Sequence, residues 1–319
     1  MEPQRPARVM WVDSEPMEIT IQDLIQKIPA GDVVVINDTK VLKRRIFFED
    51  LEILFLNQKT PLLWEVLFPS KKYSIEDTIN LPQGVKMTLK GKGRPQLVEL
   101  SRHVAEDYFQ QVAELPLPPY IQKNRRDRHA QVADLDWYQS AWAEKSGSLA
   151  APTASLHFSK RDMISLQERG VKVFPLTLHV GLGTFLPVTT ENLDDHPMHE
   201  EWVEIPQATW LQVQKATSEG RQVWALGTTV ARSLESAALN LLPKNKMGDL
   251  SGFTRILIQP GFRWQVVTRL LTNFHQPEST LLALVAGFSD LKKVKWCYAW
   301  AVENKFRLFS YGDLTVWIK

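Results

Sequence analysis

Apolar and polar positions fall into two regimes along this chain. TIQDLIQKI, from Thr20 to Ile28, has the spacing of a short helix, with Thr20 as N-cap and Asp23 placed to complete a capping box. After Ala30-Gly31, DVVVIND is a β-branched run bounded by turn residues, which predicts a buried strand. From residue 46 to 101 the character changes to short strand-like runs, LEILFL, LLWEVLF, VKMTLK and QLVEL, separated by Pro, Gly, Asn and Lys. Strands at that spacing predict a small barrel or sandwich. HVAEDYFQQVA then reads as a helix, and the stiff LPLPPY as a re-entry point.

Beyond residue 150 helices and strands alternate. Ser159 caps a helix that stops at Gly170, and VKVFPLTLHV follows as a strand. PQATWLQVQKATSEG is a helix with Gly220 just past its end; RQVWAL is a strand, TTVARSLESAAL a helix, TRILIQP a strand. STLLALVAGF predicts a buried helix and KKVKWCYAWAVENK another. This alternation supports an α/β domain whose pieces, residues 1–46 and 115–319, flank an inserted small all-β barrel domain at 47–114.

Length and composition narrow the class. At roughly 150 residues per domain, 319 residues suggest two domains. The longest apolar run, Leu281 to Phe288, falls far short of the ~20 residues that cross a bilayer, and MEPQRPARVMWVD lacks the apolar region of a signal peptide. A lone cysteine, Cys297, gives no intrachain disulfide and no cysteine zinc site, so a cytoplasmic protein is expected. The net charge of +2 argues against a surface coated in positive field, but the charge is segregated. Lys40, Lys43, Arg44 and Arg45 cluster in NDTKVLKRRI, and Lys123, Arg125, Arg126 and Arg128 in QKNRRDRH; residues 191–204 hold six acids and no Lys or Arg. With Tyr120, Trp137 and Tyr138 nearby, the basic runs suit a nucleic-acid backbone with unpaired bases, or else are solvated faces.

Candidate chemistry gathers in the C-terminal part, where five of the seven histidines lie between 157 and 275. The usual nucleotide, zinc-protease and nucleophile-elbow motifs are missing. AAPTASLHF offers Thr153 and His157, and TLHVGLGTF offers His179 with Gly181, Gly183 and Thr184, where glycine lets a ligand approach the backbone. A glycine turn with a satisfied histidine is the other reading. In VWALGTTVARSLES a strand runs through Gly227, Thr228 and Thr229 straight into a helix, a geometry that presents free N–H groups to an anion, with Arg232 near; an ordinary capped helix is the alternative. LLTNFHQPESTLLALV places Thr272, Asn273 and His275 before a wholly apolar helix. His196 and His199 are three apart, but Pro197 between them disfavours a shared helical face, so no metal is expected.

Together these strings resemble the S-adenosylmethionine:tRNA ribosyltransferase-isomerase family of queuosine biosynthesis. The resemblance rests on INDTKVLKRRI, FPSKK, LPLPPYI, AAPTASLHF, TLHVGLGTF, DDHPMHEEW, ALGTTVARSLES, LLTNFHQPESTLLALV and FRLFSYGD, in order, from Arg8 to the C-terminus. It implies an α/β host with an inserted barrel, and transfer of the ribosyl part of S-adenosylmethionine to a 7-aminomethyl-7-deazaguanine base at the tRNA wobble position. The product would be epoxyqueuosine, with adenine and methionine released and no cofactor beyond S-adenosylmethionine as co-substrate. The chemistry needs groups that exchange protons near neutral pH, so His179, His199 and His275 are the acid/base candidates, with Glu200 to orient a histidine or face the sulfonium. Thr153, His157, Gly181, Gly183, Thr184, Gly227, Thr228, Thr229, Arg232, Thr272 and Asn273 are expected to bind substrate. Lys40, Arg44, Arg45, Arg125 and Arg126 are expected to contact tRNA, and the protein to be a monomer with no membrane partner.

The chain also departs from the family pattern. It begins almost at the RVMWV strand, without some 15–25 residues usual before it; Ser155 replaces a usual glycine, Phe68 a usual arginine, and Glu49-Asp50 a double-glycine turn. These departures leave a second reading, a tRNA-binding relative without turnover; a histidine-dependent metal hydrolase is a further rival.

Overall fold

The computed structural model describes residues 6–181, 183, 190 and 192–319, and the chain divides into two compact units, residues 1–40 with 136–319 and residues 41–135. The chain opens with β1 (Arg8–Val12), β2 (Pro16–Thr20), α1 (Ile21–Lys27), β3 (Val33–Asn37) and β4 (Thr39–Val41). The capping box of α1 is formed: Asp23 N–H donates to Thr20 Oγ1 at 3.0 Å and Thr20 N–H to the Asp23 carboxylate at 2.9 Å.

The second unit follows as β5 (Arg45–Phe48), β6 (Leu51–Gln58), β7 (Leu63–Leu67), β8 (Thr78–Asn80), β9 (Lys86–Gly91), β10 (Gln96–Leu100), α2 (Glu106–Val112) and α3 (Pro119–Arg125). Its strands form an antiparallel sheet in the order β5-β6-β7-β10-β9-β8. One face buries Ile46, Phe55, Trp64, Val66, Met87 and Val98, and Phe109 of α2 closes over Phe55 and Trp64. Among the described residues no ladder joins β5 to β8, so the sheet has two edges where a barrel would have none.

The remaining elements are α4 (Asp134–Trp137), β11 (Lys145–Ser148), α5 (Lys160–Glu168), β12 (Lys172–Leu178), β13 (Glu201–Ile205), α6 (Gln207–Ser218), β14 (Val223–Leu226), α7 (Thr228–Ala238), β15 (Leu250–Thr254), β16 (Arg269–Asn273), α8 (Thr280–Phe288), α9 (Leu291–Glu303) and β17 (Leu314–Ile318). The large sheet of the first unit runs β15-β13-β12-β3-β14-β16-β17-β1-β2. Its centre, β12-β3-β14-β16, is parallel throughout, and β13 and β17 join that centre antiparallel.

Strand alternation divides the core into two layers. Val33 and Val35 of β3, Val223 and Ala225 of β14, and Leu270 of β16 face α6, α7, α8 and α9. Val34, Ile36, Trp224, Leu226 and Leu271 face α1 and α5. Burial on both faces explains why DVVVIND reads as a continuous apolar run. Residues 254–260 differ from expectation: the strand is β15, ending at Thr254, and the following stretch is irregular. Ile256 and Ile258 enter the core without joining a ladder, and Gln259 presses so closely on Gly287 of α8 that a Cβ there would lie 2.4 Å from the Gln259 carbonyl oxygen.

Candidate active site

The four parallel strands end along one edge of the sheet, where register pairs Leu176 with Asn37, Ala225 with Val35 and Leu226 with Leu271. The outer side of that carboxyl edge is where ligands bind in open α/β sheets, because the helices that follow direct their N-termini there. Several residues picked out in the C-terminal part follow these strand ends: His179 after β12, Gly227–Thr229 after β14, and Asn273 and His275 at and after β16.

A buried asparagine ties the strand ends together. Asn37 Nδ2 donates to Leu178 O at 3.0 Å and to Thr229 Oγ1 at 3.3 Å, while Asn37 Oδ1 accepts from Leu178 N–H and Thr39 N–H, both at 3.1 Å. Thr39 Oγ1 in turn lies 2.8 Å from His179 Nδ1, which sets the imidazole's orientation. The ring rests on Gly147, where a Cβ would come within 2.5 Å of His179 Nε2. Ser148 holds that segment in place, accepting from Val180 N–H at 2.9 Å and donating to Ala150 O at 2.7 Å. Burial lowers the pKa of His179; Glu204 opposes that shift and Lys145 adds to it. The imidazole is therefore neutral at pH 7. Asp38, between Asn37 and Thr39 in the chain, accepts from Thr177 Oγ1 at 2.6 Å, and burial raises its carboxyl pKa against that bond and the Lys145 charge.

His275 and His157 are held on the β16 side. His275 Nε2 is 2.8 Å from Thr272 Oγ1, and its backbone N–H donates to Tyr298 OH at 3.0 Å. Burial depresses the His275 imidazole to about 4 and raises the Tyr298 phenol to about 12. His157 closes the 3-10 turn Thr153–His157, with its Nε2 2.8 Å from Asn273 Nδ2. Gly227 takes φ 104°, ψ 155° and leaves the N-terminus of α7 without a side-chain cap.

Several charged residues have other partners than expected. Arg232 lies in the second turn of α7 and is ion-paired with buried Glu201, whose other oxygen accepts from Gly181 N–H at 3.2 Å. Its Nε donates to Ile256 O at 3.3 Å, and among the described residues its Nη2 has no hydrogen-bond partner; Arg232 also lines a small cavity with Met198, Ile258, Thr280 and Leu284. Glu200 is exposed and pairs with Arg255 at 2.9 Å. Gly183 packs against His199, where a Cβ would sit 3.3 Å from the ring; Thr184 lies outside the described residues.

Three arginines expected to meet tRNA are internal to the second unit. Arg44 grips Glu106 through two bonds of 3.0 and 2.7 Å and stacks 4.3 Å from the Phe109 ring centroid. Arg45 donates to Leu117 O at 3.0 Å and pairs with Glu52 at 3.2 Å; Arg125 holds fully buried Asp134 bidentately at 2.6 and 2.8 Å. A guanidinium already closed on a carboxylate is not available to phosphate. Lys40 and Arg126 are exposed. Asn37, Asp38, Thr39, Gly147 and Glu201 also shape the site, though none is among the residues expected from sequence. The signal for the first three was a polar triplet that closes an otherwise apolar strand.

Among the described residues no three His, Cys, Asp or Glu side chains are grouped to hold a metal ion, and no helix is long and apolar enough to cross a membrane.

Comparison with known proteins places this arrangement among relatives. A sequence model described as queuosine biosynthesis protein matches residues 1–317. The chain is 39% identical over 308 residues to the S-adenosylmethionine:tRNA ribosyltransferase-isomerase of Halothermothrix orenii, spanning 93% of this chain and 87% of that protein. It is 38% identical over 307 residues to the protein of the same name from Parvibaculum lavamentivorans, spanning 92% and 86%. A crystal structure of S-adenosylmethionine tRNA ribosyltransferase from Thermotoga maritima matches with a TM-score of 0.54 at 24% identity, over 99% of this chain and 94% of that one, a likeness of fold.

Proposed function

The chain belongs to the queuosine biosynthesis protein family, and on that premise we propose that it is an S-adenosylmethionine:tRNA ribosyltransferase-isomerase. In this reaction the ribosyl part of S-adenosylmethionine is transferred and isomerised onto 7-aminomethyl-7-deazaguanine in tRNA, giving epoxyqueuosine-tRNA, adenine and methionine. The observation that carries the reading is that His179, Thr229, Asn273 and His275 all stand at the carboxyl edge of β12-β3-β14-β16, with Thr229 bonded to Asn37 and His179 reached from it through Thr39.

The reaction requires a neutral amine, loss of a proton next to the sulfonium, and protonation of departing adenine. A histidine kept neutral by burial accepts protons at pH 7, and His179 fits that role, its orientation set by Thr39. His275, held near 4, is neutral as well and suits hydrogen bonding to substrate more than protonating it. His199 stands as the remaining acid candidate; Glu200, paired with Arg255, is the weaker partner for the sulfonium. The methionine carboxylate is assigned to the uncapped N-terminus of α7 at Gly227, Thr228 and Thr229, since Arg232 is already paired with Glu201. Gly181 and Gly183 leave room for ribose or adenine, and Thr153 and Thr272 supply hydroxyls.

For tRNA, phosphate contacts fall to Lys40 and Arg126, with Lys123 and Arg128 beside the latter in sequence, all of them exposed. The interrupted unit is taken as catalytic and the inserted unit as a barrel-like domain, supported by its continuous antiparallel order. The protein works as a monomer in the cytoplasm, where its tRNA is. The test is to incubate the chain with S-adenosylmethionine and tRNA with or without the deazaguanine precursor, and to assay free adenine. Release dependent on the precursor supports the reading; no release, or release without it, overturns it.

A further inference from the structure

Asn273, the last residue of β16, is 2% exposed, and its Nδ2 lies within hydrogen-bond distance of two carbonyl oxygens, Phe309 O at 3.2 Å and Ser310 O at 3.5 Å, and of His157 Nε2 at 2.8 Å. Carbonyl oxygens only accept, so the amide edge that faces them must be nitrogen. Turning the amide over would set Oδ1 against both carbonyls. Nor is the loop that carries those carbonyls free to move aside. Fully buried Asp313 fastens its two ends, accepting from Arg307 N–H at 2.8 Å and from Arg8 N–H at 2.9 Å. At Gly312 the backbone folds so tightly that a Cβ would lie 2.3 Å from Arg307 O. The amide therefore donates to His157 Nε2, and a ring nitrogen that accepts carries no proton.

We propose that Asn273 is a positioning residue that holds His157 as the neutral tautomer protonated at Nδ1. The imidazole is then a hydrogen-bond donor at Nδ1, with Nε2 engaged as acceptor by the Asn273 amide. Proton transfer is left to the other histidines. The role in turnover rests on the ribosyltransferase reading above; the tautomer itself does not.

The direct test is 15N NMR of the full chain labelled at histidine, with the His157 signals identified by their loss in His157→Gln. The expected result at pH 7 is a protonated Nδ1 and an unprotonated Nε2; a protonated Nε2 overturns the proposal. In Asn273→Asp the carboxylate accepts where the amide donated, so Nε2 gains the proton. An unchanged pattern in a folded variant overturns the proposal, since a merely structural asparagine would leave the ring's protonation alone. In Asn273→Ala the KM for S-adenosylmethionine should rise by roughly threefold to tenfold with a smaller change in kcat; an unchanged KM removes the assigned role in binding. If the native chain releases no adenine, the ribosyltransferase reading fails while the tautomer result stands.

Discussion

His179 and His275 reach neutrality through burial, yet their surroundings differ. The ring of His179 lies between Thr39 and the bare backbone of Gly147, with the Glu204–Lys145 pair near enough to affect its charge. Gly147→Ala pushes a methyl group into that ring. The expected outcome in steady-state kinetics is a roughly tenfold to hundredfold fall in kcat, because what shifts is the ring proposed as the base, with thermal stability lowered by about 1–3 kcal/mol through overpacking. For His275 the consequence is one of linkage. Its folded pKa, about 4, lies below the unfolded value of 6.5, so between those values the unfolded chain binds more protons. Stability is complete above pH 6.5 and declines as pH falls toward 4. At pH 5 the loss is about 2 kcal/mol, and His275→Gln should lack that part of the decline in urea denaturation at pH 7 and pH 5.

At the scale of elements, the turn from β14 into α7 is the most demanding. Gly227 sits at φ 104°, ψ 155°, a region nearly closed to residues with a Cβ. Gly227→Ala should therefore cost about 1–3 kcal/mol by denaturant midpoint and also weaken S-adenosylmethionine binding, since the same turn presents the N–H groups of α7. This element was legible in advance: a wholly apolar strand, a glycine, two threonines and a helical period leave few other arrangements. The caps at Thr20 and Ser159 were legible for the same local reason. What escaped was non-local. That Asn37 bonds Thr229, 192 residues away, depends on β3 lying between β12 and β14, which no local pattern encodes. Glu200 and Glu201 are neighbours of one type, and only the direction of β13 puts Glu201 inward against Arg232. The stretch 254–260 alternates like a strand because Ile256 and Ile258 are buried, but burial alone does not make a ladder.

At the scale of the molecule, the net charge of +2 hides how many charges are internal. Arg44, Arg45 and Arg125 look alike in sequence to Lys40 and Arg126, yet they are consumed in holding the second unit together. Arg44→Ala should destabilise that unit by about 1–3 kcal/mol, less than a fully buried pair because Glu106 is partly exposed. It should leave the salt dependence of tRNA binding unchanged. Lys40→Ala with Arg126→Ala should leave stability alone and reduce the slope of log affinity against log salt by about 1–2 in a filter-binding titration.

Whether this fold and these strand-end residues carry out ribosyl transfer to tRNA is decided by the nucleoside product. Precursor-bearing tRNA is incubated with S-adenosylmethionine and the native chain, digested, and analysed by mass spectrometry beside a parallel reaction with His179→Ala. Epoxyqueuosine is expected from the native protein, with a large loss of it from the variant. Tight tRNA binding by the native chain with the precursor nucleoside recovered unchanged would contradict that expectation.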